Sequence, residues 1–239
     1  MAWLLIMAAF AQPKTPSGKP LKLELQSDGG TNGCAVVWNP EKKLYYTVIA
    51  GNVDFPIDVF SETGKWISTH ASGVDNRGLW YNTKSGKLEA RSNDGQLFAY
   101  SLNENGKPND PKKIKDEVGP ADQNVGTFFK GKVYYYSEGI VTSISAKGKK
   151  SYNQLTMSVD DAGYNNYSMG YAGVKNYEIV LHNYMNKSLE FYNLKGEKTS
   201  TISLPDEIPE AENFRFSFAN NRAWLYDVDS RTWTGYKIF

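Results

Sequence analysis

The chain has 239 residues but only one cysteine, two histidines and a formal net charge of +1. A single thiol, Cys34, cannot form a disulfide within the chain, and every site built on paired thiols is excluded with it. A nucleophilic thiol would need a histidine partner, and neither His70 nor His182 stands at a matching place in the repeat described below. The charges are interspersed along the chain and lack the basic footprint of a nucleic-acid binder. The densest basic run, Lys112, Lys113 and Lys115, lies beside Asp110, Asp116 and Glu117 and reads as a solvated loop. No stretch is apolar for long enough to span a bilayer. Gly-x-Ser-x-Gly, His-Glu-x-x-His and a phosphate-binding Gly-x-x-x-x-Gly-Lys-Ser/Thr loop are all missing. Asp227-x-Asp229 begins like a calcium loop, but Arg231 follows where an oxygen ligand belongs.

The apolar segment Trp3 to Phe10 is too short to cross a membrane. It ends in the small-x-small triplet Ala9-Phe10-Ala11 and turns polar at Gln12. This is the anatomy of a secretory signal peptide over residues 1–11, although the segment before it carries no Lys or Arg. The expectation is an exported protein, periplasmic or secreted, whose residues 12–239 form one domain.

Aromatics are abundant, with 16 Tyr, 11 Phe and 6 Trp, and they recur at a fixed place. An asparagine followed five residues later by an aromatic appears at Asn76–Tyr81, Asn124–Phe129, Asn166–Tyr171 and Asn213–Phe218, and one residue longer at Asn32–Trp38. A Gly-Lys turn recurs independently at Gly18, Gly64, Gly106 and Gly148, with Gly196 one residue removed from Lys198. Both markers repeat about every 45 residues, the length of four short strands, which is one blade of a β-propeller. Glycine at the turn supplies a positive φ without steric cost. In the second unit, Pro108 to Pro111 reads as a loop that displaces the outer strand to Lys113–Val118. The fifth unit lacks its Gly-Lys turn and fourth strand, and the N-terminal Gly18-Lys19 with Leu21 to Gln26 supplies both. The sequence therefore predicts an all-β, five-bladed propeller of four-stranded blades, closed by the N-terminal strand completing the last blade.

The segments Asn32-Gly33-Cys34-Ala35-Val36-Val37-Trp38-Asn39-Pro40-Glu41 and Arg77-Gly78-Leu79-Trp80-Tyr81-Asn82 resemble the Pro-Asn-Gly-Leu-Ala-Trp-Ser-Pro-Asp line of secreted propellers of the gluconolactonase, senescence-marker and NHL type. Most of that superfamily has six blades. In its lactonase branch a divalent metal, often calcium, sits at one end of the central channel, held by a glutamate, asparagines and an aspartate at strand starts. The matching positions here are Asn32, Asn76, Asn124, Asn166 and Asn213, all amides. The nearest carboxylates are Asp75 and Glu212, each one residue earlier, with Asp122, Asp160 and Asp161 in loops close by.

Five asparagines at one mouth of a channel admit three roles. They could staple the corners of the blades, form a ring for an organic ligand or sugar, or bind calcium if Asp75 and Glu212 add charge. Two residues beyond each asparagine come Cys34, Gly78, Gly126 and Ser168, all small, and then Arg215. A guanidinium in that column needs a partner, either a carboxylate such as Glu212 or Asp75 or an anionic ligand, and the internal pair is the expectation. The aromatics Trp38, Tyr81, Phe129, Tyr171 and Phe218 read as core between blades. The functional expectation is a monomeric, non-catalytic binding module without a cofactor. It would take a small molecule, a carbohydrate or a protein at the channel mouth through Asn32, Asn76, Asn124, Asn166, Asn213 and Arg215. The alternative is a calcium-assisted lactonase-like or glycosidase-like hydrolase with Asp75 and Glu212 as its acids, which requires those acids to converge on the asparagines.

Overall fold

The computed structural model describes residues 11–26, 32–51, 56–116, 125–137, 139–145, 153–156, 168–212 and 215–239. Strand β1 spans Leu21–Glu24. Blade 1 contains β2 (Asn32–Asn39), β3 (Leu44–Ala50), β4 (Pro56–Ser61) and β5 (Trp66–Ala71). Blade 2 contains β6 (Asn76–Asn82), β7 (Lys87–Ser92), β8 (Leu97–Leu102) and β9 (Pro108–Lys115). Blade 3 contains β10 (Thr127–Phe129), β11 (Lys132–Ser137), β12 (Ile140–Ser145) and β13 (Asn153–Thr156). Blade 4 contains β14 (Gly170–Tyr171), β15 (Ile179–Asn183), β16 (Ser188–Tyr192) and β17 (Lys198–Ser203). Blade 5 contains β18 (Phe216–Ala219), β19 (Arg222–Asp227) and β20 (Thr232–Lys237). The strands make five antiparallel four-stranded sheets.

The fifth sheet has the order β1-β20-β19-β18, so the N-terminal strand is its outer member, as the half-unit predicts. Leu21 pairs with Gly235 and Glu24 with Thr232. The inner strands touch in ring order, β2 with β6, β6 with β10, β10 with β14, β14 with β18, and β18 with β2. Ser217 ties that last seam. Its hydroxyl donates to the Val36 carbonyl at 2.9 Å, and the Val36 N–H donates back to it at 3.1 Å.

The core lies between the blades. Leu79, Tyr81 and Leu88 of blade 2 pack against Tyr46, Val48 and Val59 of blade 1. Leu23 and Trp233 of blade 5 pack against Val36, Tyr45 and Phe60. The small column fits this crowding, because a Cβ on Gly78 would lie 3.1 Å from the Gly126 backbone nitrogen. The repeated turn glycines among the described residues, Gly18, Gly64, Gly106 and Gly196, all have φ between 76° and 87°, as the hairpin reading requires.

Two elements differ from expectation. The outer strand of blade 2 begins at Pro108, not Lys113. Both prolines lie on an edge strand, where a missing N–H costs no ladder bond on the outer side, and the register shifts between Tyr100 and Leu102 to seat them. The inner strand of blade 4 is short, and Ser168 instead makes a parallel bridge to Val125 of blade 3. Residues 1–10, which carry the signal-peptide reading, and the turn at Gly148 lie outside the described residues. No helix among the described residues is long and apolar enough to cross a membrane.

Candidate functional site

The channel through the ring has two mouths. The inner strands begin at the asparagine mouth and end at the other, where the hairpins joining first and second strands cluster.

At the asparagine mouth, Asn124, Asn166 and Asn213, with Asp122, Asp160 and Asp161, lie outside the described residues. Asn32 is half-buried, and its Oδ1 accepts a hydrogen bond from Nη2 of Arg215 at 3.3 Å. That contact corrects the expected carboxylate partner for Arg215. Asp75 is engaged elsewhere, since its Oδ1 accepts from Nη1 of Arg77 at 2.6 Å and from the Gly51 N–H at 3.1 Å. Arg77 also donates through Nε to Asn93 at 3.1 Å. Glu212 is exposed, and its carbonyl accepts from the Arg215 N–H at 3.1 Å. Asn76 is fully buried beside the Tyr100 ring. Cys34 is also fully buried, its thiol donating to the Asn76 carbonyl at 3.6 Å, and burial pushes its pKa up to about 12. Two guanidiniums thus hold the acceptors that a cation would need. Among the described residues no three His, Cys, Asp or Glu side chains come together. Asn32, Asp75 and Asn76 by themselves do not supply the six to eight oxygen ligands, carboxylates among them, that calcium takes, and the other expected asparagines lie outside the described residues.

Other asparagines staple turns at the far ends of the inner strands. Asn39 Oδ1 accepts from the N–H groups of Glu41 and Lys42, and Asn82 Oδ1 accepts from Lys84 and Ser85. Both close hairpins at the opposite mouth. Their signal is present in the sequence, an Asn at the end of a strand followed by polar turn residues, but it lacks the regular spacing of the other asparagines.

The opposite mouth is hollow. A cavity of about 270 Å³ opens there between the ends of the five inner strands. Trp38, Tyr81, Phe128, Tyr171 and Phe218 give one aromatic from each blade to its wall, and Leu79, Val125 and Met169 lie deeper. Trp38 and Tyr171, expected as core between blades, are only half-buried, whereas Tyr81, Phe129 and Phe218 are buried. The wall is stiff. Phe129 is stacked between Tyr134 and Tyr171, with centroids 3.9 and 3.7 Å away and interplanar angles of 12° and 2°. Trp80 is fixed by Nε1 donating to Oε2 of Glu89 at 3.1 Å, and the same carboxylate accepts from Asn82 Nδ2 at 2.8 Å. Asn220, at the rim, donates to the Tyr45 hydroxyl at 2.7 Å. Burial, with the Glu41 carboxylate close by, raises the pKa of Tyr81, and burial with Glu178 does the same for Tyr171. Both phenols are therefore neutral hydrogen-bonding groups at any physiological pH.

No protein-family model matches the chain, and no characterised protein matches it by sequence. Solved structures match by shape. The crystal structure of glutaminyl cyclase from Myxococcus xanthus superimposes with a TM-score of 0.56 over 95% of this chain and 100% of that one, at 12% identity. A chain of the mitotic checkpoint complex superimposes with a TM-score of 0.50 over 87% of this chain and 75% of that one, at 11% identity. At such identities the likeness is one of fold, so the chain stands among the β-propellers, in company that includes both an enzyme and a component of a protein assembly.

Proposed function

We propose that this protein is a non-catalytic binding module, exported and monomeric, that seats an uncharged ring in the hollow mouth of its channel. The observation that carries this reading is the cavity of about 270 Å³ walled by one aromatic from each blade. Its size is at the small end for ligand pockets, enough for one ring and its substituents rather than a large metabolite. Aromatic walls favour the faces of aromatic side chains and the apolar faces of sugars. The tyrosine hydroxyls, with Thr83 and Thr127, supply polar contacts for orientation. Among the described lining residues none is Asp, Glu, His, Lys, Arg or Cys, so the hydroxyls of Ser217, Thr83, Thr127 and the tyrosines have no base beside them in the lining to activate them.

The test uses tryptophan emission, because Trp38 and Trp80 both line the cavity. The purified protein is titrated with N-acetylphenylalanine amide, 4-methylphenol and a methyl pyranoside. About 15 non-hydrogen atoms at about 0.3 kcal/mol each give a Kd on the order of 1 mM. The expected result is a saturable emission change for at least one probe, abolished in Thr83→Tyr, which places a bulky ring at an exposed rim position. No saturable change for any probe, or the same change in Thr83→Tyr, would overturn the reading.

A further inference from the structure

A propeller's turns alternate between its two faces, so charges interspersed along the chain need not be interspersed in space. Every hairpin at the hollow mouth carries a cation. These are Lys42 and Lys43 in blade 1, Lys84 in blade 2, Lys130 in blade 3, Lys175 in blade 4, and Arg222 at the start of β19 in blade 5. Lys87 and Lys132 open the strands that follow two of those hairpins. The turns between third and fourth strands reach the same face and add Lys65, Lys107 and Lys195, and Lys19 precedes β1 there. The acids on this face, Glu41, Glu62, Glu104, Glu178 and Glu197, are outnumbered more than two to one. Because the whole chain carries only +1, the remainder of the molecule is acidic on balance.

Among the described residues, the contacts of Lys42 and Lys43 do little to cancel this excess. Lys43 approaches Glu62 at 3.9 Å with both side chains more than half exposed, a weak pair. Lys42 donates to the Glu104 carbonyl at 3.0 Å, which satisfies a donor without neutralising its charge. Lys84 lies across the Gly131 hairpin of the next blade, with its Nζ 2.5 Å from where a Cβ would sit. That reach sets one cation beside another, Lys130.

We infer that this face docks an acidic protein segment that inserts one aromatic side chain into the channel, an inference that rests on the ring-seating reading above. Charge complementarity sets the flanks and the cavity sets the anchor, the usual division between a rim that steers and a buried aromatic that holds. Single-stranded nucleic acid fits less well. It wants successive stacking platforms along a basic groove, and here the cations encircle a single hole. An anionic bilayer fits less well too, because surface insertion needs a cluster of protruding apolar groups, whereas Phe128, Trp38 and Tyr171 are half-buried in the cavity wall and the exposed Leu194 and Trp66 stand apart at turns of different blades.

The experiment measures binding of three peptides to the full protein by calorimetry. One is a phenylalanine flanked on both sides by Asp and Glu, the second has Asn and Gln in place of the acids, and the third is the acidic peptide with Ala for Phe. The expected result is that the acidic Phe peptide binds at least about tenfold more tightly than its neutral counterpart at about 0.1 M salt. The advantage should largely vanish at about 1 M, where the Debye length falls to about 3 Å. Lys84→Glu/Lys130→Glu, at two exposed turn positions, should lose that advantage, while Lys112→Glu/Lys113→Glu, an equal charge change on the outer strand of blade 2, should keep it. Equal binding of the acidic and neutral Phe peptides would overturn the inference and leave the ring-seating reading standing. Equal binding of the acidic peptide without Phe would overturn both. Tighter binding of oligo-dT or of phosphatidylserine vesicles than of the acidic Phe peptide would also overturn the inference and assign the basic face to that partner.

Discussion

His182 sits in an environment that opposes its usual chemistry. It lies fully buried on β15, tilted over the Phe216 ring of the next blade at 5.6 Å and 31°. Burial pulls its pKa down from 6.5 to about 4, and the Ala211 backbone beside it offsets only part of that. The folded protein therefore holds a neutral imidazole where the unfolded chain would take up a proton below pH 6.5. Stability from this residue is intact above pH 6.5 and declines as pH falls toward 4, by as much as about 3 kcal/mol at about 1.4 kcal/mol per unit. Urea midpoints measured between pH 6.5 and 5, before most carboxylates titrate, should fall steadily in the parent protein and stay flatter in His182→Leu. Parallel slopes for the two proteins would show that His182 is not the titrating group. Nothing in the residue order points to this, because a lone histidine in a strand reads the same whether it faces a neighbouring blade or water. The small column is a contrast: Gly78 and Gly126 were readable as points of close approach, since only the repeat was needed to align them.

At the level of elements, the closing strand is where sequence and structure agree most fully. Its four residues, Leu-Lys-Leu-Glu, alternate so that Leu23 is fully buried while Lys22 and Glu24 are exposed. Leu23 packs in the cluster that holds Trp224, Tyr226 and Trp233. Beyond the strand, the Gln26 N–H donates to Oδ2 of Asp58 in blade 1 at 3.3 Å. Asp58 is itself buried, and burial raises its pKa. Closure thus rests on Leu23, with Leu25 and the partly buried Leu21 beside it, and a short run of ladder bonds. Leu23→Ala should cost about 2–5 kcal/mol, the usual range for a buried leucine, and should lower the denaturation midpoint as a single transition. Two separated transitions would mean that blade 5 unfolds on its own and that the closure does not couple the ring. Blade 2 was less legible because Pro108 and Pro111 suggest a loop. A proline excludes a central strand, but it is compatible with the outer edge of a blade, and blade position is a property of the assembled ring.

For the whole molecule, the number of blades and the closure followed from a period and a complementary half-unit, whereas the hollow mouth did not. Which end of a channel is open depends on the spacing between five strand edges that meet only after folding. The same is true of charge. Along the chain Lys84 has one charged neighbour within four residues, Lys87, whereas in the ring it also reaches the hairpin that carries Lys130. A face crowded with cations repels itself even without a partner, and that self-repulsion is open to measurement. Raising sodium chloride from about 0.1 to about 1 M shortens the Debye length from about 10 to about 3 Å. If screening relieves about 1 kcal/mol, Tm should rise by about 2–4 °C at this chain length. Lys84→Glu/Lys130→Glu should be more stable than the parent at low salt and gain less from added salt, because the variant already carries opposite charges within the basic ring. The Lys112→Glu/Lys113→Glu change, away from that ring, should leave the salt response as it was. A Tm that is flat or falls with salt in the parent would mean that neighbouring acids already balance these lysines, and the electrostatic half of the docking argument would go with it.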